Sequence, residues 1–142
     1  MSSMSDVSPI NPFVEKTYQD TYELLVSIRD YISGSMQDEA EVLEAPDQLR
    51  LTRELSCMTR DLTDVMAWLM LQKAIEVGEL SRKDANAEPA GNLGGQTDEP
   101  DEVKDAEGLV RLPKTVRSLI DRSRRTCALV RQLATDSRKS GI

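Results

Sequence analysis

LTRELSCMTRDLTDVMAWLMLQKAIEVG, Leu51 to Gly78, carries the longest apolar rhythm in the chain. Leu51, Leu55, Met58, Leu62, Val65 and Leu69 recur at alternating steps of four and three residues. That recurrence predicts a helix whose single apolar stripe lies lengthwise against other helices. Arg53, Arg60 and Asp64 fall roughly opposite, where water-facing residues belong. Past Val65 the pattern changes. Trp68, Leu71 and Ile75 rotate onto the side that earlier carried charge, while Lys73 and Glu76 come near the old stripe. Two readings fit this widening. The segment is the centre of a crowded core that takes in Trp68, or a second subunit covers the Trp68, Leu71 and Ile75 patch. The second is adopted as the expectation, because apolar patches of this kind mark interfaces and two-fold dimers are the commonest assembly.

Working outward, Pro46-Asp47 opens this helix and Gly78 ends it. Upstream, Asn11-Pro12 is a helix start, and Ser33-Gly34 a stop. Between them Tyr18, Leu25, Ile28 and Ile32 fall at helical spacing, flanked by Tyr22 and Leu24. The acidic stretch MQDEAEVLEA reads equally as loop or frayed helical turn. Downstream, Ser81 to Asp84 has the form of a capping box and predicts a short turn to about Glu88. Residues 86–108 hold two of the six prolines, four of the seven glycines and many carboxylates. Such a composition offers little apolar area to offset the entropy of ordering. Leu112-Pro113 restarts order, and Val116, Leu119, Ile120, Cys127, Val130 and Leu133 mark a third helix ending near Asp136.

The expected fold is therefore all-α: a three-helix antiparallel bundle, homodimeric. The expected organisation is a disordered tail over 1–10, helices 1 and 2 plus the capped turn over 11–88, a flexible acidic linker over 89–110, helix 3 over 111–137, and a tail over 138–142. The expected core is the six-residue stripe with Leu25, Ile28, Val116, Leu119 and Val130. The chain's 142 residues fit one domain. No run of about 20 apolar residues predicts a membrane span, and the N-terminus lacks the pattern of a secretory signal. The expected location is the cytoplasm.

Catalysis is not expected. There is no histidine, which removes the commonest general base and metal ligand. Cys57 and Cys127 have no metal-site spacing and read as small packed residues. Asp61 and Asp64 share a surface with Arg60 and read as solvated charges. Gly94-Gly95 sits in an acidic stretch without a following Lys-Ser/Thr and is no P-loop. No metal and no cofactor are expected.

Charge is unevenly placed within the net −7. Residues 1–110 hold 9 basic and 23 acidic residues, whereas 111–142 hold 9 basic and 2 acidic. Arg117, Arg124, Arg125 and Arg131 are candidate partner-binding residues on the basic third helix. Three matches fit: the acidic first helix and linker of the same chain, an acidic protein, or nucleic acid. The last is disfavoured, because no aromatics interleave with the arginines and the rest of the chain repels phosphate.

Met58 to Glu88, MTRDLTDVMAWLMLQKAIEVGELSRKDANAE, resembles the signature of the alphaproteobacterial family of the regulator of CtrA degradation, RcdA. The resemblance lies in Met58-Thr59, Leu62, Trp68-Leu69-Met70-Leu71-Gln72-Lys73-Ala74, Gly78-Glu79 and Ser81. The third helix is similar to the family's closing helix. The chain departs from the family's usual residues at Asp61, at Asp64 and after Glu88. The resemblance implies a three-helix-bundle homodimer without catalytic activity. It implies an adaptor that helps deliver CtrA-type cell-cycle regulators to the ClpXP protease, with ClpX, a CpdR-type response regulator and a proteolytic substrate as partners, at times at a cell pole. The alternative is a helical scaffold, or a nucleic-acid-associated protein using the basic helix.

Overall fold

A computed structural model describes residues 12–95 and 106–139. All its regular elements are helical: α1 Pro12–Ser33, α2 Met36–Glu41, α3 Ala45–Glu76, α4 Arg82–Ala87, a 3-10 helix Pro89–Gly95, α5 Ala106–Leu109 and α6 Lys114–Lys139. No strand occurs among the described residues. The expected tail over 1–10, the cap at Asn11, linker residues 96–105 and tail residues 140–142 lie outside the described residues. Arg138 and Lys139, assigned to the tail by sequence, are the last two residues of α6.

Local chemistry sets the helix ends. Gly34 donates its N–H to the Asp30 carbonyl at 2.9 Å, closing α1. Gly78 has a φ of 83°, a left-handed conformation that suits glycine. This lets Glu79 N–H reach the Ala74 carbonyl at 2.9 Å and close α3. Ser81 Oγ accepts from Asp84 N–H at 3.0 Å and caps α4. The acidic stretch after Gly34 forms α2, pinned where Tyr31 Oη donates to Glu39 Oε1 at 2.6 Å.

The three long helices α1, α3 and α6 each pack on the other two. Leu51, Leu55, Met58, Leu62, Val65 and Leu69 are buried, and so are Ile28, Val116, Leu119 and Val130. Leu25 is only partly buried, packed against this core from its edge. The buried row of α1 is Val14, Thr17, Thr21, Leu24, Ile28 and Tyr31. It is rotated from the Tyr18, Leu25, Ile28 and Ile32 stripe read in the sequence and shares only Ile28 with it. Two buried threonines disguise it, and Thr21 Oγ1 satisfies its hydroxyl by donating to the Thr17 carbonyl at 2.8 Å.

Helix direction corrects one expectation. Lys73 Nζ meets Glu15 Oε1 at 3.1 Å, joining the end of α3 to the start of α1. Ile32 shares a groove with Thr52, Leu55 and Ser56 at the other end. These two helices are antiparallel. Helix α6 is not antiparallel to α3. Arg111, just before α6, bonds Asp47 near the start of α3 at 3.1 Å, and Arg124 Nη2 lies 3.6 Å from Glu54 Oε1. Both helices run from the same end. Asp47, Glu54 and Asp61 step by seven along α3, and Arg117, Arg124 and Arg131 step by seven along α6. Parallel helices keep such rows in register.

The stretch expected to be a flexible linker from residue 89 is packed in its first part. Pro89–Gly95 rests on α3, α4 and α6, and Leu93 is 2% exposed, within the main core. Gly91 comes so close to the Ala85 carbonyl that a Cβ there would clash with the oxygen.

Candidate functional site

The segment Trp68 to Glu79 divides between core and surface. Trp68 is 4% exposed and belongs to the single-chain core with Leu69 and Leu93. This corrects the expectation that a second subunit covers Trp68. The chain's own Pro89–Gly95 segment packs on α3 and brings Leu93 into the same core. Leu71 and Ile75 are half-buried. Gln72 is buried, placing the motif's one amide inward.

The outward residues of the same segment were missed in the sequence. Met70 and Val77 are 54% and 49% exposed. With Tyr18, Lys73, Ala74 and Glu79 they line a shallow cleft between α1 and α3. The signal was available: at about 100° per residue they lie together on one flank of the buried stripe. Lys73 is fixed in place there. Its Nζ sits 4.0 Å from the centroid of the Tyr18 ring and 3.1 Å from Glu15. The Lys73 hydrogen bond, helped by Gln19, holds the Glu15 carboxyl below the usual glutamate range.

A second groove opens at the far end of the α1–α3 boundary, lined by Ile32, Met36, Thr52, Ser56, Thr59 and Arg60. Tyr31, the residue before Ile32, is buried. Burial pushes its hydroxyl well above the usual tyrosine range, and the Glu39 carboxylate adds to the shift. A third, polar cleft lies between α1 and α6, where Asp20 and Glu23 face Arg122 and Arg125.

The four candidate arginines are therefore not one free patch. Arg124 faces the buried Glu54. Arg117 Nε donates to the Leu112 carbonyl at 3.2 Å. Arg131 is half-buried. Arg125 is exposed at the cleft shared with α1. An intramolecular match thus exists: α3 supplies Asp47 and Glu54, and the first helix, as the sequence suggested, brings Asp20 and Glu23 to the cleft that holds Arg122 and Arg125. Among the described residues, no three His, Cys, Asp or Glu side chains gather as a metal site, and no helix is long and apolar enough to cross a membrane.

These surfaces are shallow, and the two α1–α3 clefts are partly apolar with charged residues at their rims. The fold is also found in a solved structure, the crystal structure of RcdA from Caulobacter crescentus CB15, with a TM-score of 0.65 and 22% identity over 89% of this chain and 92% of that one. No curated protein sequence matches the chain. The family model described as "Protein of unknown function (DUF1465)" matches residues 9–141. With nearly its whole length matched, the chain belongs to that family.

Proposed function

We propose that this protein is a non-enzymatic adaptor in regulated proteolysis. It works as a homodimeric three-helix bundle in the cytoplasm. It helps bring a CtrA-type response regulator to the ClpXP protease, with ClpX and a CpdR-type receiver protein as partners and recruitment to a cell pole as part of the process. The observation that carries this reading is the Met58–Glu88 motif lying within a fold like that of RcdA. The geometry suits it. The motif's inward residues pack the core, while Met70, Lys73 and Val77 form a fixed outer surface beside Tyr18. The nucleic-acid reading loses support, since Arg111 and Arg124 are matched to acids of α3.

The test is binding of the immobilised full chain to purified ClpX and to a CpdR-type receiver protein, with duplex DNA as the competing ligand. Retention of ClpX or the receiver, weakened by salt, is the expected result. Retention of DNA alone, or of nothing, overturns the proposal.

A further inference from the structure

Helix α6 carries two rows, and the core takes one of them. The buried row is Val116, Ile120, Ser123, Cys127, Val130 and Ala134. At about 100° per residue, the opposite side carries Ser118, Arg122, Arg125, Leu129 and Gln132. These recur at steps of four, three, four and three, and all five are exposed. A row with that rhythm matches the side of another helix laid along it. Its middle holds two arginines and then Leu129, which is 46% exposed. The pairing of α6 with α3 uses a different side, where Arg124 meets Glu54. Carboxylates border the outer row at its edges. Asp20 and Glu23 lie across the cleft with α1, Asp121 stands beside Arg122, and Asp136 at the far end accepts from Gln132 Nε2 at 3.0 Å.

We propose that this outer row of α6 is a docking face for an acidic helix of a partner protein. The proposal deepens the adaptor reading, on which it rests for the existence of a partner, by naming a face and the chemistry it takes. Three features select the occupant. The first is charge. Residues 111–131 hold seven basic residues and one acidic, in a chain of net charge −7. Such a local excess attracts and orients an acidic surface. The second is the pattern of sign. Arginines lie at the centre of the row and carboxylates at its edges. A helix with central glutamates and flanking lysines complements that pattern. A phosphate backbone is negative along its whole length and meets repulsion at the edges. The third is Leu129, which takes an apolar side chain from the same partner helix. A second copy of the row sets arginine against arginine, so self-pairing through it is unfavourable. One helix laid on one helix makes a small contact of the transient class, weakened by salt.

The experiment is an NMR titration of the full chain with two synthetic peptides and with duplex DNA. Each peptide is an alanine-based helix of about 18 residues, long enough to hold helical structure. One carries two glutamates and a leucine at the spacing of Arg122, Arg125 and Leu129, and its twin has lysine in place of glutamate. The glutamate peptide shifts resonances of residues 118–132, the twin does not, and Arg122→Glu/Arg125→Glu weakens binding at least about tenfold. Arg53→Glu binds like the wild type, and circular dichroism shows equal helix content in every variant. Shifts spread equally over the exposed Arg29, Arg53 and Lys83 overturn the proposal, as does equal binding of both peptides. So does DNA binding to the row in preference to the glutamate peptide, or no peptide binding at about 1 mM. Binding that emerges only after Asp98, Glu99, Asp101 and Glu102 are replaced by asparagine and glutamine also overturns it, and assigns the row to the chain's own acidic residues. If the glutamate peptide binds on α6 while neither ClpX nor the receiver is retained, the adaptor reading falls and the face stands.

Discussion

Glu54 of α3 is buried beside Arg124 of α6, with 3.6 Å between carboxylate oxygen and guanidinium nitrogen. The pair joins two helices that point the same way. Arg124→Leu leaves the carboxylate buried without this cation. The guanidinium is partly exposed, so the cost is discounted to about 1–2 kcal/mol. A Glu54→Leu/Arg124→Leu double variant recovers most of that loss. Urea unfolding of the two single variants and the double variant closes the cycle.

Trp68 anchors the core of one chain. Trp68→Ala therefore costs about 3–5 kcal/mol in folding stability. At equal folded fraction its association state matches the wild type. A variant that melts like the wild type but dissociates would return Trp68 to the subunit interface.

Leu93 makes the 3-10 segment part of the fold. Leu93→Ala costs about 2–5 kcal/mol, as for other filled apolar sites. Thermal melting reads this directly, and an unchanged midpoint would mean that the segment contributes no packing.

Tyr31 ionises later than an ordinary tyrosine, because burial and the Glu39 carboxylate both oppose its charged form. The sign follows from linkage. A pKa raised by folding favours the native state fully below the unfolded value. That contribution is lost as pH rises above about 10, the unfolded tyrosine range. Absorbance titration shows a late tyrosine step in the wild type, and Tyr31→Phe removes it.

The long α3 was legible because six apolar residues repeat without interruption from Leu51 to Leu69. Helix α1 was legible as a helix but not in its facing. Thr17 and Thr21 are polar in the sequence yet buried in the structure, while Tyr22 and Ile32 are apolar yet exposed. The rotation of apolar residues at Trp68 showed that something covers that side. It did not show that the cover is local, because Leu93 is one leucine in a stretch of glycine, proline and carboxylate. The direction of α6 is a property of the return path after Glu88. Its only trace in the sequence is the matching seven-residue spacing of acids on α3 and arginines on α6.

The most direct measurement is the rate at which reconstituted ClpXP degrades a CtrA-type response regulator, with and without this protein and a CpdR-type receiver. The adaptor account predicts faster degradation that saturates with added protein and leaves the protein itself intact. An unchanged rate at saturating protein, with the receiver present in its unphosphorylated and phosphorylated forms, contradicts it.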